Sequence, residues 1–160
     1  MLSDEIHVGK TSAIIQWKKG KSNVFGIISP KENGNRNFED AHSGETWPMK
    51  ASETDMRILE VGQYRFSQSA FDRAFESLHI GFNFKGKRTV VFDEIGPLEL
   101  RGSGFQKLLL DALSLNQIDA DLNLLLVVRK PLLSQFFDAY QVANSEVFNV
   151  SEFSKKFLSG

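Results

Sequence analysis

The chain has 160 residues, 41% of them hydrophobic and 24% charged, and its 19 basic and 20 acidic side chains leave a net charge of −1. Such a composition excludes a disordered chain, and the length predicts one domain over residues 1–160. The absence of cysteine excludes disulfides, thiolate zinc sites, iron–sulfur ligation and cysteine nucleophiles. The near-neutral balance provides no global basic field, which argues against a dedicated nucleic-acid binder. His7, His42 and His79 share no metal-ligand spacing. No apolar run approaches the roughly 20 residues of a membrane span. Met1 to Lys10 has no apolar centre of the signal-peptide kind, so the expected location is cytoplasmic.

In chain order, the first pattern is Val8-Gly9-Lys10-Thr11-Ser12, followed by a helical stretch with Ala13, Ile14, Ile15 and Trp17. Gly-Lys-Thr before a helix is the end of a phosphate-binding loop. Glycine lets backbone N–H groups close on phosphate oxygens, and the helix N-terminus adds a favourable dipole. Lys10 would reach the β- and γ-phosphates, and the Thr11 hydroxyl would hold Mg²⁺. The full G-x-x-x-x-G-K-T pattern is incomplete: Asp4 stands where the first glycine belongs, and His7 where another often lies. Asp4 and Glu5 bring negative charge close, and only Met1, Leu2 and Ser3 precede the loop as a strand. So short a strand predicts unpaired backbone groups in the sheet, unless the sheet is completed differently or the natural start lies upstream.

Val24–Ile28, Thr89–Phe92, Leu122–Val128 and, more weakly, Val147–Val150 are short apolar runs. Continuous hydrophobicity marks strands covered on both faces. Between them lie helical stripes. One carries Ala70, Phe71, Ala74, Phe75 and Leu78 behind a capping Ser69, and one carries Phe105, Leu108, Leu109, Ala112 and Leu113. Another carries Leu132, Leu133, Phe136, Phe137 and Tyr140 after Pro131, and the last carries Phe153 and Phe157 after Ser151 as cap. Strands alternating with helices predict an α/β layered fold with a mainly parallel sheet. Residues 30–66 break the rhythm. Turn signals at Asn33-Gly34 and His42-Ser43-Gly44, with β-like pieces at Trp47–Met49, Ile58–Val61 and Tyr64–Phe66, predict an antiparallel excursion off the main sheet.

Thr89-Val90-Val91-Phe92-Asp93-Glu94-Ile95-Gly96-Pro97 runs four strand formers into two carboxylates and a forced turn. In an open α/β sheet ligands sit beyond the carboxyl ends of strands, which puts this pair beside Gly9–Thr11. Adjacent strand residues point to opposite sides, so the two acids can divide two roles. Asp93 suits Mg²⁺, and Glu94 suits a general base for the attacking water. Arg129, at a later strand end, is the first candidate to stabilise the transferred phosphoryl group, with Lys130 beside it and Arg101 next. Arg65 and Arg88 read as ordinary surface residues, Glu99 as a structural acid of the turn, and Phe38 and Trp47 as core.

Asp93-Glu94-Ile95-Gly96-Pro97-Leu98-Glu99-Leu100 followed by Phe105 resembles the signature of the P-loop nucleoside-triphosphatase family first known from thermophiles. Gly9-Lys10-Thr11, Gly26-Ile27, Val61-Gly62-Gln63-Tyr64 and Val127-Val128-Arg129 agree with it in order and place. The resemblance implies a three-layer P-loop fold that hydrolyses nucleoside triphosphates (ATP, GTP) to diphosphate and phosphate with Mg²⁺. It implies phosphate binding by Gly9, Lys10 and Thr11, metal binding by Thr11 and Asp93, and water activation by Glu94. On the residues themselves, Val8 and Ser12 join the phosphate-binding set, and Lys10 and Arg129 join the catalytic set. Two other readings stay open: a non-catalytic relative with an interaction role, and a P-loop kinase for a small acceptor. A homo-oligomer paired through a sheet edge is also open.

Overall fold

The computed structural model describes residues 1–142 and 145–158, with Val61 described in its backbone alone. The elements in chain order are β1 (Leu2–Asp4), α1 (Lys10–Lys18), β2 (Val24–Ile28), β3 (Lys31–Glu32), β4 (Asn35–Asp40), β5 (Thr46–Pro48), β6 (Ile58–Val61) and β7 (Tyr64–Ser67). They continue with α2 (Gln68–Asn83), β8 (Arg88–Ile95), the short α3 (Pro97–Leu100), α4 (Gln106–Ile118), β9 (Leu122–Arg129), a 3₁₀ turn (Lys130–Leu132), α5 (Leu133–Tyr140) and α6 (Val150–Phe157). The sheet order is β1-β9-β8-β2-β4-β3, with β5 beside β4. β1, β9, β8 and β2 run parallel, and β4 joins β2 antiparallel. The α/β layered fold with a mostly parallel sheet is therefore present.

The apolar runs are continuous because both faces of the sheet are covered. Val90 and Phe92 face a cluster with Phe25, Ile27, Phe38, Phe71, Phe105, Leu109 and Phe136, built with α2, α4 and α5. Val91 faces the other cluster, with Leu2, Ile14, Val24, Ile28, Val127 and Phe153, built with α1 and α6. Each such side chain fully buried contributes about 1.5–3 kcal/mol. Phe38 and Trp47 lie in the core, with the Trp47 indole N–H donating to Ala70 O at 3.0 Å. Among the described residues no helix is long and apolar enough to cross a membrane.

Four expectations change. The three-residue β1 is paired on both sides: Leu2, Ser3 and Asp4 oppose Val127, Val128 and Arg129. On the other flank Ser3 N–H donates to Phe148 O at 2.8 Å and Phe148 N–H to Met1 O at 2.9 Å. The weak Val147–Val150 run thus completes the sheet. The excursion over residues 30–66 is antiparallel as expected, but it does not leave the main sheet. β4 pairs directly with β2, and the Asn33-Gly34 turn returns β3 onto β4. Only β6 and β7 form a separate two-stranded ribbon. The caps move: Ser67, not Ser69, accepts from Ala70 N–H, and Asn149, not Ser151, caps α6 in a reciprocal box with Glu152. A cap is defined by extended backbone before the first turn, and Ser69 and Ser151 already lie inside their helices. Arg88 is no surface residue. It is 3% exposed, donates to the carbonyls of Gly81, Phe82 and Gly86, and pairs with Asp119 at 2.8 Å. It satisfies the orphan carbonyls where α2 ends.

Candidate active site

The site is built at the carboxyl ends of β1 and β8. β1 ends at Asp4, residues 5–9 form a loop, and α1 begins at Lys10. The left-handed positions of the loop are His7 (φ 68°) and Gly9 (φ 91°), not Asp4, which remains in the strand. Gly9 has no side chain to cap α1, and the first turn carries no acid, so its leading N–H groups stay open toward the loop. Val8, Gly9, Lys10, Thr11 and Ser12 thus line one concave turn around a helix N-terminus.

Lys10 is 6% exposed. Its ammonium folds back across the loop and donates to Asp4 O at 3.1 Å and Glu5 O at 2.8 Å. The acids at the loop entrance are engaged by groups of other elements, which the sequence did not show. Asp4 Oδ1 accepts from Glu5 N–H at 2.8 Å, and Oδ2 accepts from Val150 N–H at 3.1 Å. Those two backbone donors, Val150 first, hold its carboxyl below the ordinary value. Glu5 pairs with Lys130 at 3.2 Å.

Asp93 meets α1 from the end of β8. Its Oδ2 accepts from the Thr11 hydroxyl at 2.9 Å and from Ser29 N–H at 3.1 Å, while the Ser29 hydroxyl donates to the Asp93 carbonyl. Burial pushes the Asp93 carboxyl up to about 6, and the neighbouring Glu94 adds to the rise. The Ser29 and Thr11 hydrogen bonds and the Arg36 charge act in the opposite direction. Asp93 Oδ1 is buried without a hydrogen-bond partner among the described residues.

Glu94 turns the other way. Phe92 opposes Leu126 and Ile95 opposes Val128, so three steps on β8 match two on β9. The extra residue makes a bulge, a device that re-aims side chains beside functional sites. Here it coincides with Glu94 pairing across to the Arg129 guanidinium, with the Glu94 side chain 12% exposed. After the bulge, Glu99 holds the turn. Its carboxylate accepts from Gly96 N–H at 2.9 Å and Phe105 N–H at 3.1 Å, and its carbonyl accepts from the Tyr140 hydroxyl at 2.8 Å. Burial pushes the Glu99 carboxyl up.

The fold thus brings Thr11, next to Lys10 in the chain, onto Asp93, and Arg129 beside Glu94. Arg101 is exposed beyond α3, and Lys130 is occupied by Glu5. Two neighbours escaped sequence reasoning. Ser29 follows the β2 run, but only the β2–β8 pairing brings it to Asp93. Arg36 sits half-buried on β4, has no ion-pair partner among the described residues, and acts electrostatically on Asp93. Its one sequence signal was a cation next to the Asn33-Gly34 turn.

Among the described residues no group of three or more histidines and carboxylates forms a metal cage. The residues present still fit Mg²⁺. The open Oδ1 of Asp93 and the Thr11 hydroxyl are hard oxygen donors, and Mg²⁺ commonly takes one or two protein oxygens with waters and phosphate oxygens.

The structure is similar to the crystal structure of THEP1 from the hyperthermophile Aquifex aeolicus, with a TM-score of 0.69 and 17% identity, covering 98% of this chain and 92% of that one. That likeness shows a shared P-loop NTPase fold. No curated protein matches the chain. The NTPase family profile matches residues 1–159. The chain belongs to the NTPase family, and its general activity is that of a nucleotide-binding nucleoside triphosphatase.

Proposed function

We propose that this chain, acting as one domain, is a Mg²⁺-dependent nucleoside triphosphatase that releases the nucleoside diphosphate and phosphate. The observation that carries this reading is the hydrogen bond between Thr11 and a buried Asp93 whose second oxygen is open, beside Lys10 at an uncapped helix N-terminus. The loop N–H groups from Val8 to Ser12 bind the β- and γ-phosphates. Lys10 exchanges its two carbonyl acceptors for phosphate oxygens. Thr11 and Asp93 hold Mg²⁺, which, when bound, neutralises charge on the phosphates and fixes their orientation. Glu94 orients the attacking water and takes its proton, and Arg129 neutralises charge developing on the transferred group.

A non-catalytic reading draws on one observation: Arg129 already occupies Glu94. Phosphate release from ATP and GTP, with and without a chelator, decides between the two. Mg²⁺-dependent turnover that falls in Glu94→Gln supports hydrolysis. Nucleotide binding without turnover supports the non-catalytic reading. The kinase reading requires turnover that rises with a small acceptor.

A further inference from the structure

The phosphate loop accounts for only one end of a nucleoside triphosphate, and the fold provides a second cleft where the other end would lie. β1 sits between β9 and the 146–148 segment. From the end of β9 the chain turns into α5, which packs with the Phe136 cluster on one face of the sheet. From residue 148 it turns into α6, whose Phe153 packs with the cluster on the other face. Chains leaving the strand ends on either side of β1 toward opposite faces open a crevice at its carboxyl end, and open α/β sheets bind ligands in crevices at their carboxyl ends. Here the crevice is a cleft of about 420 Å³ lined by Ser3, Asp4, Lys130, Asn149, Ser151 and Glu152, with Leu133 and Val147 completing it. That volume falls within the range of small-ligand sites, roughly 300–1,000 Å³. A larger cavity of about 460 Å³ lies at the amino ends of the strands, by Thr89 and Asn123, where the same rule places no ligand.

The cleft is continuous with the phosphate loop. Asp4, the last residue of β1 before that loop, also lines the cleft, where its Oδ2 meets Val150 N–H at 3.1 Å. Lys130, on the facing wall, pairs with Glu5 of the loop at 3.2 Å. The lining chemistry then selects the ligand. Two carboxylates against one lysine, itself already paired, repel a second phosphate. Among the described residues no aromatic ring lines the cleft, so base stacking has no platform there. What remains is a set of oxygen acceptors, with the Ser151 hydroxyl and the Asn149 amide among them, suited to vicinal hydroxyl groups. Ser3, only 6% exposed, adds a hydroxyl with no hydrogen-bond partner among the described residues.

We infer that the cleft between Lys130 and the start of α6 is the ribose subsite, in which Glu152 and Ser151 receive the 2′- and 3′-hydroxyls of the bound nucleotide. This rests on the triphosphatase reading for the position of the phosphates. It assigns the site to ribonucleotides over deoxyribonucleotides, with discrimination by sugar rather than by base.

The test is equilibrium calorimetry in Mg²⁺ with ADP, 2′-deoxy-ADP and pyrophosphate as probes, on wild type, Glu152→Gln and Ser151→Ala. Glutamine keeps an acceptor for the Asn149 N–H at the α6 cap, and Ser151 makes no cap, so the second variant remains informative if the first loses its melting transition. One lost hydroxyl contact predicts that wild type binds ADP about three- to tenfold more tightly than 2′-deoxy-ADP. The variants should close that gap and leave pyrophosphate affinity unchanged. Equal affinity of wild type for the two diphosphates, or a gap that survives in both variants, overturns the ribose assignment. A preference for ADP over 2′-deoxy-ADP that closes in the variants, without phosphate release from ATP, counts against the hydrolase reading alone.

Discussion

Two regions of the molecule meet solvent in opposite ways. At the carboxyl ends of β1 and β8, Lys10 and Asp93 are 6% and 2% exposed, and each is bonded to a group from another element. In the β6–β7 ribbon the exposed side chains pair within their own hairpin. Arg65 and Glu60 lie 3.6 Å apart with side chains 64% and 71% exposed, Tyr64 stacks on Phe66, and nearby Met56 is 96% exposed. The contrast teaches where sequence change is costly. A buried polar group takes its properties from several elements at once, so losing one partner strands the others. An exposed pair strands nothing.

The sharpest way to test that contrast is to remove the proposed base. Glu94→Gln should lower kcat about 100- to 10,000-fold while ATP affinity by calorimetry stays nearly constant. Equal loss of binding and turnover would break the division of roles between Asp93 and Glu94. Lys10→Ala should weaken ATP binding about 100-fold, since it removes a preorganised cation from the phosphate end. Gly26→Ala probes the sheet beneath the site. Gly26 has φ +94°, and a Cβ there would press on the Val91 backbone, 2.8 Å from its nitrogen. The substitution should cost about 2–3 kcal/mol in denaturant unfolding, through strain and overpacking together.

A smaller effect concerns Glu99. Its folded value is raised above the ordinary 4.5, so the protonated form is favoured in the folded state. Its contribution to stability is therefore full below pH 4.5 and declines as pH rises through the folded value. The Tm penalty of Glu99→Gln should be greater at pH 4 than at pH 7, and a penalty that grows with pH would contradict the burial argument. At the far end of the scale, Arg65→Ala should change stability by about 0.5 kcal/mol or less and leave hydrolysis untouched. A larger loss would show that the ribbon is less independent of the site than its exposure suggests.

The parts of the site legible in sequence were those held in short contiguous stretches. Gly9-Lys10-Thr11 opens a helix wherever it lies, and Thr89–Phe92 running into Asp93 and Glu94 marks a strand end by local chemistry alone. Arg129 was found the same way, at the end of an apolar run. Ser29 and Arg36 were not found, because their proximity to Asp93 depends on which strand pairs with β2 on either side. Nothing local shows that Val150 N–H and Lys130 take up the carboxylates of Asp4 and Glu5, whose charge the sequence places near the loop. Asn149 and Glu152 carry the spacing of a capping box, two residues ahead of the Ser151 that the helical stripe predicts as cap.

By itself the sequence determined which segments become strands and helices, the both-sided burial of the central strands, and the identity of the loop and acid pair, since period, turn chemistry and residue type act over a few neighbours. Tertiary structure decided the pairing of the three-residue β1 with residue 148, the bulge at Glu94 and its guanidinium partner, and the cleft beside Asp4. Each depends on register between segments far apart in the chain, and hydrogen-bond pairing across a sheet is fixed only when all of its strands are in place.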